Sequence, residues 1–181
     1  MACSTTQPLL TSKTNIHRQW QNDLQLNGRI SVQYQQNEAT ETLTGSFEWQ
    51  QTSQDLQIHL RSPLGQTIAT IFENSEGARL EQAKQPPRYA QNIEQLLSEN
   101  FAWSIPAQGL KAWLQGLHFD EKGQPQMVLA QDYTTIQSRG WMVQFVSWQD
   151  VDGVTRPKRI DLQRNTEDMG EIKVRIITEW K

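Results

Sequence analysis

The chain of 181 residues lacks the features that define several classes of protein. Its one cysteine, Cys3, cannot form an internal disulfide. A net charge of -3 and a pI near 5.6 do not fit a nucleic-acid-binding domain, which needs clustered basic residues. No apolar run approaches the length of a transmembrane helix. The length still suffices for one domain with a hydrophobic core, so we expect a fold held by packing, without nucleic acid as a partner.

Motifs for catalysis and metal binding are missing as well. The sequence has no Gly-x-Ser-x-Gly, no His-Glu-x-x-His and no glycine-rich phosphate loop. Its three histidines, His17, His59 and His118, share no spacing, and residues 150–153 resemble only the start of a calcium loop. We therefore predict a protein that is not an enzyme and that uses no metal or cofactor.

Alternating apolar and polar residues predict an antiparallel sheet with one face in water. The clearest apolar sets are Leu26, Ile30, Val32 and Tyr34, then Leu43, Gly45, Phe47 and Trp49, then Leu56, Ile58 and Leu60. Further strands are expected at 68–72, 78–82, 127–130, 133–138, 141–148, 157–163 and 171–180. A sheet of about ten or eleven strands must curl, because sheets twist.

A helical pattern separates the two runs of strands. The apolar residues Ile93, Leu96, Leu97 and Phe101 follow a helical spacing, and so do Leu110, Trp113, Leu114 and Leu117. Pro86-Pro87 is expected to end the preceding sheet, and residues 15–24 predict a further short helix. The fold class is therefore mainly β with α: an unclosed antiparallel β-barrel with helices covering its apolar concave face. The pattern leaves open whether the space between them is filled or hollow, and whether the seven tryptophans pack there or line a pocket.

One predicted turn carries an apolar residue at its apex. Ser62-Pro63-Leu64-Gly65-Gln66 joins two strands, and both the fixed φ of Pro63 and the freedom of Gly65 favour a tight turn. Leu64 either packs under a neighbouring residue or reaches into an apolar phase outside the protein.

The N-terminal residues place the single cysteine in a polar setting. Ala2-Cys3-Ser4 matches the end of a bacterial lipoprotein signal, whose apolar stretch is missing as if Met1 had replaced it. The alternative is an incidental thiol. We expect a lipoprotein N-terminus and flexible tether over residues 1–14 and a single domain over residues 15–181.

Together these features resemble the outer-membrane lipoprotein receptor family LolB. The matching segments are Ala2-Cys3-Ser4 with its tether, Trp20-Gln21, residues 45–51, Ser62-Pro63-Leu64-Gly65, and Pro106 followed by residues 110–117. They occur in order over nearly the whole chain. The resemblance implies an unclosed barrel with helices over an apolar cavity. It also implies a protein that accepts lipoproteins from the periplasmic carrier LolA and inserts them into the outer membrane, without nucleotide or metal.

The resemblance also implies particular roles for residues. The lipidated cysteine corresponds to Cys3, and the membrane insertion loop to Pro63, Leu64 and Gly65, with Leu64 protruding. Strand alternation and helix faces predict the lining of the acyl-chain cavity: Ile30, Val32, Phe47, Trp49, Ile58, Leu60, Ile93, Leu96, Leu97, Phe101, Leu110, Trp113, Leu114 and Leu117. The expected partners are a LolA-type carrier, acylated lipoproteins and outer membrane lipid. The expected state is a lipid-anchored monomer on the periplasmic face of the outer membrane.

Two other functions fit the same pattern. A soluble LolA-type periplasmic carrier would share the architecture, although Cys3 and the Pro-Leu-Gly turn argue against it. A lipoprotein that scaffolds envelope proteins through its sheet edges would have a filled core.

Overall fold

The computed structural model describes residues 18–36, 39–101, 105–167 and 170–180. In these ranges the chain forms twelve strands and two helices. In chain order they are β1 (Leu24–Gln36), β2 (Ala39–Gln51), β3 (Leu56–Arg61), β4 (Thr67–Asn74), β5 (Gly77–Gln82), β6 (Arg88–Ala90), α1 (Ile93–Asn100), α2 (Ala107–Leu114), β7 (Leu117–Phe119), β8 (Pro125–Met127), β9 (Thr134–Ser138), β10 (Trp141–Val151), β11 (Val154–Thr166) and β12 (Gly170–Trp180). The predicted tether with Cys3 lies outside the described residues, as do residues 15–17 and Trp103.

Ten strands form one antiparallel sheet in the order β6-β5-β4-β3-β2-β1-β12-β11-β10-β9, while β7 pairs with β8 apart from it. The first and last strands meet in the middle of this sheet, where Ile30 of β1 lies opposite Ile176 of β12. Within the described ranges the end strands β6 and β9 do not pair with each other, so the sheet stays open. The predicted unclosed antiparallel barrel is confirmed, and the short strands β6 and β7 are additional to the expected set. The strand expected at 127–130 is wrong beyond Met127, because β8 covers Pro125–Met127 and residues 128–130 form no strand.

Alternation along the strands explains where the core lies. The even-numbered residues of β1 face the same side as Phe47 and Trp49 of β2, and Leu26 and Trp49 are almost fully buried. These residues belong to one apolar cluster between the concave face of the sheet and the helices. The opposite face carries the polar partners, so the sheet has one face in the core and one in water.

The predicted N-terminal helix is wrong over its described part, since residues 18–23 are not helical. The buried Arg18 guanidinium donates to the carbonyl oxygens of Val128 and Thr155, and it lies 4.6 Å from the centre of the Trp148 ring. Desolvation by burial lowers the pKa of Arg18. These contacts with distant parts of the fold hold residues 18–23 in a non-helical path, and β1 begins directly after them.

Two other local predictions were wrong. Residues 86–87 do not end the sheet, because the three residues of β6 follow directly and pair with β5 as an edge strand. A proline before an edge strand removes no ladder hydrogen bond. Leu117 does not belong to α2, which ends at Leu114; after Gly116, with φ of +73°, Leu117 pairs with Met127.

Candidate functional site

An apolar cavity of about 80 Å³ lies between the sheet and the helices. Its floor is the concave face of β1 to β4 and β12, and its roof is a helical cover made of α1, α2, Phe101 and Ile105. The lining residues are Ile30, Phe47, Trp49, Ile58, Leu60, Ile71, Leu97, Phe101, Ile105, Leu110, Leu114 and Ile176. Every one of these side chains is apolar apart from the indole N–H of Trp49, which donates to Gln51 Oε1. An apolar lining of this kind suits hydrocarbon and offers nothing to a charged ligand.

Nine of the fourteen residues predicted from the sequence line this cavity: Ile30, Phe47, Trp49, Ile58, Leu60, Leu97, Phe101, Leu110 and Leu114. Their role in binding acyl chains stays a prediction. Strand alternation placed the floor residues correctly because residues two apart on a strand share one face. Of the six tryptophans described, Trp49 is the one that lines the cavity.

The other five predicted residues are buried in the core but lie away from the cavity. Ile93 and Leu96 hold α1 on the sheet, whereas Leu97 is turned by one residue, about 100°, toward the cavity. The Trp113 indole N–H donates to the hydroxyl oxygen of Ser138 on β9 at 3.2 Å, and β9 contributes no lining residue to the cavity. Val32 is buried in the same apolar cluster without lining the cavity, and Leu117 has left the helix.

Three lining residues were missed. Ile71 lies opposite Ile58 on the neighbouring strand, and Ile176 lies opposite Ile30. Both belong to alternating strands, so the alternation could have suggested them once the strand pairing was known. Ile105 precedes Pro106 in the link between the helices, where no periodic pattern exists.

The Pro-Leu-Gly turn connects β3 to β4 at the edge of the cavity floor. Ser62 N–H donates to the Gln66 carbonyl oxygen at 2.8 Å, and Gly65 N–H donates to the Ser62 carbonyl oxygen at 2.9 Å. Gly65 has φ of +81°, a conformation that costs glycine little. These bonds close a compact turn and leave Leu64 at its apex.

Leu64 is 88% exposed. A Cβ atom built on the adjacent Gly65 would meet nothing within 4 Å, so the apex stands clear of the rest of the protein. Ile68, on the strand that leaves the turn, is also exposed. Of the two alternatives for Leu64, packing under a neighbouring residue is therefore excluded by the structure, and an apolar side chain is presented to the surroundings.

The base of the turn is fixed by a close approach to β2. A Cβ atom on Gly45 would lie 2.4 Å from the Arg61 carbonyl oxygen, so glycine is needed where the two strands touch. The register of β3 against β4 shifts at this point, between Leu60 and Arg61. The cavity floor and the turn are therefore adjacent along the chain, since Leu60 lines the cavity two residues before the turn begins at Ser62.

The described residues contain no group of three or more His, Cys, Asp or Glu side chains placed to hold a metal ion. Neither of the two described helices has the length and hydropathy that crossing a bilayer requires.

The open sheet, the helical cover and the apolar cavity define a half-barrel of the kind that encloses hydrophobic ligands. A family model described as outer membrane lipoprotein LolB matches residues 22–180. The chain belongs to the LolB family.

Individual relatives agree with this assignment. The chain is 38% identical over 145 residues to the outer-membrane lipoprotein LolB of Ralstonia nicotianae, covering 76% of this chain and 68% of that protein. It is 32% identical over 158 residues to the protein of the same name from Cupriavidus necator, covering 86% and 78%. Among solved structures, a DUF1329 family protein from Desulfovibrio piger matches with a TM-score of 0.51 at 10% identity, over 87% of this chain and 84% of that one. That likeness shows the fold alone.

Proposed function

We propose that this protein is an outer-membrane lipoprotein receptor that takes acylated lipoproteins from a LolA-type periplasmic carrier and inserts them into the outer membrane. The observation that carries the proposal is the pairing of a wholly apolar cavity with a fully presented leucine beside it. Membership of a family named for outer-membrane lipoproteins supports the location. Cys3 is the proposed lipid anchor, and the receptor acts as a monomer without catalytic chemistry.

The cavity supplies the free energy of uptake. Each buried methylene of an acyl chain contributes roughly 0.8 kcal/mol, so a chain can be held in water only by an apolar enclosure. Passage from carrier to receptor to bilayer needs no nucleotide, provided that each acceptor binds the acyl chains more strongly than the donor. The receptor must therefore bind them better than the carrier and less well than the membrane.

The turn determines the direction of transfer, from the receptor to the membrane. Leu64 would contribute roughly 1.5–3 kcal/mol on entering lipid. That is too little to anchor the protein, but enough to bias the cavity edge toward the bilayer. Since Leu60 lines the cavity and Leu64 lies four residues further along the chain, insertion of the apex brings the cavity next to the membrane.

A two-step assay tests the separate roles of the cavity in uptake and of the turn in delivery. A lipidated protein is loaded on the carrier, transferred to the receptor, and then offered phospholipid vesicles. Leu64→Glu should accept cargo like the unmodified protein but deliver less of it to vesicles, because a carboxylate does not enter hydrocarbon. Leu129→Glu is the matched control, since Leu129 is 57% exposed and lies outside the turn. Normal delivery by Leu64→Glu at equal protein concentration would reject the role of the apex.

A further inference from the structure

A groove of about 460 Å³ runs along the outer face of the sheet beside the Pro-Leu-Gly turn. Its floor combines the apolar side chain of Ile177 with polar side chains of β1, β2 and β12 that point away from the cavity: Arg29, Ser31, Thr44, Ser46 and Arg175. Ser62, Pro63 and Gly65 of the turn itself form one wall. The groove therefore shares its wall with the element that presents Leu64.

Strand register brings the polar groups of the floor together. Arg29 lies directly opposite Ser46 on β2, while Ser31 lies opposite both Thr44 on β2 and Arg175 on β12. Directly opposed residues on antiparallel strands have Cβ atoms roughly 5 Å apart. Two guanidinium groups and three hydroxyl groups thus occupy adjacent positions on one surface, an arrangement of donors that suits the oxygens of a phosphate group.

The two arginines of the floor are only partly neutralised: Arg175 donates to both oxygens of Asp161, at 3.2 and 3.3 Å, whereas Arg29 has a weaker partner. Arg29 lies 3.9 Å from Glu179, and both side chains are more than 60% exposed, so this pair is weak. Arg175 and Arg159 share the single carboxylate of Asp161, at 3.2 and 2.6 Å.

One further pair lies at this end of the sheet, where Arg61 contacts Glu48 at 3.2 Å. Four arginines therefore face three carboxylates here, in a chain whose overall charge is -3.

We propose that this groove binds the phosphate of an anionic phospholipid headgroup and so orients the Pro-Leu-Gly turn on the membrane. The proposal rests on the proposed function, which sends Leu64 into the hydrocarbon. The polar zone on each side of a bilayer is roughly 5–8 Å deep, about the length of a leucine side chain with its backbone. When Leu64 is inserted, the wall formed by Pro63 and Gly65 lies at headgroup level, and Arg29 with it. Arginine binds phosphate in a bidentate manner that lysine cannot reproduce.

Vesicle binding by the full, non-acylated chain tests the site. The probes are phosphatidylcholine vesicles with and without phosphatidylglycerol, and the readout is the fraction of protein that floats with them. Arg29→Gln should lower the affinity for phosphatidylglycerol vesicles roughly fivefold, the effect of one basic residue at an anionic surface. Arg79→Gln removes the same charge from another part of the sheet, where Arg79 pairs with Glu81, and should leave the affinity unchanged.

Three results would overturn the proposal. In the first, Arg29→Gln and Arg79→Gln weaken vesicle binding equally. In the second, Arg29→Lys binds vesicles like the unmodified protein. Either result would show that the groove attracts the membrane by its charge alone and has no specific phosphate site. Glycerol phosphate could bind in calorimetry without vesicles and depend on Arg29, which would make the ligand a soluble phosphate. Cargo transfer from the carrier distinguishes this proposal from the proposed function. Arg29→Gln should accept cargo normally, whereas failure of the unmodified protein to accept cargo would reject the receptor function and leave the vesicle result standing.

Discussion

Replacing Glu73 with alanine should increase the affinity of the empty protein for a hydrophobic probe. The cavity of about 80 Å³ is smaller than the cavity of roughly 150 Å³ that holds one benzene molecule in an engineered protein. A long acyl chain therefore enters only after the helical cover has moved away from the sheet. The apparent affinity for such a ligand is the affinity of the open form multiplied by the fraction of molecules that are open.

Glu73 holds the cover in place from outside the cavity. Its Oε1 atom accepts a hydrogen bond from the Ile93 N–H at 2.8 Å, which ties the first turn of α1 to the end of β4. A hydrogen bond to a charged group contributes roughly 1.5–3 kcal/mol. Its loss should shift the balance between closed and open forms by about 10-fold to 150-fold, and tighten probe binding by up to that factor.

Fluorescence titration with bis-ANS measures this change in apparent affinity. Glu76→Ala is the matched control, because Glu76 lies in the neighbouring turn and is exposed, with its backbone N–H bonded to Asn74. Urea unfolding must show that Glu73→Ala remains cooperatively folded. If the folded Glu73→Ala protein binds the probe no more tightly than the unmodified protein, the cover does not limit access and the reasoning is refuted.

Three further predictions concern the rest of the fold. Gly45→Ala should lower the free energy of unfolding in urea by roughly 1–3 kcal/mol, because its Cβ would lie 2.4 Å from the Arg61 carbonyl oxygen; unchanged stability would contradict that close approach. Arg18→Ala should lower it by roughly 1–3 kcal/mol, since buried carbonyl oxygens of Val128 and Thr155 lose their donor; an unchanged urea midpoint would count against this. Burial raises the pKa of Asp161, but hydrogen bonds from Arg159 and Arg175 outweigh this and hold it below its usual 3.8. Asp161 then stabilises the folded state above its unfolded pKa, and this contribution is lost as pH falls through the folded pKa. When the urea midpoint is measured against pH, Asp161→Asn should therefore show a smaller loss of stability at acid pH than the unmodified protein. An equally steep loss would show that other carboxylates dominate.

Local patterns predicted the parts of the site that depend on neighbouring residues. Pro63 and Gly65 fix the turn by their own backbone preferences, so a turn with Leu64 at its apex followed from five residues, whereas the exposure of Leu64 is known only from the structure. Alternation identified Phe47 and Trp49 on the cavity floor for the same reason.

The remaining parts depend on contacts between distant segments. Ile176 faces the cavity because β12 pairs with β1, and no local pattern reveals which strands pair. Leu96 and Leu97 both fit the apolar face of α1, and only the position of the helix on the sheet separates the one that anchors from the one that lines the cavity. The helical spacing around Trp20 was overridden by the contacts of Arg18 and by Gln21, whose N–H donates to Gln115 Oε1.

The most direct test of the receptor function is a transfer measurement. A LolA-type carrier loaded with a lipidated protein is mixed with the full, non-acylated chain in the absence of ATP, and the cargo is followed by its co-migration with either protein. The same cargo without its acyl chains is the control. The account predicts that acylated cargo moves to this chain and that non-acylated cargo does not. Acylated cargo that stays on a carrier shown to release it to another acceptor would contradict the receptor function.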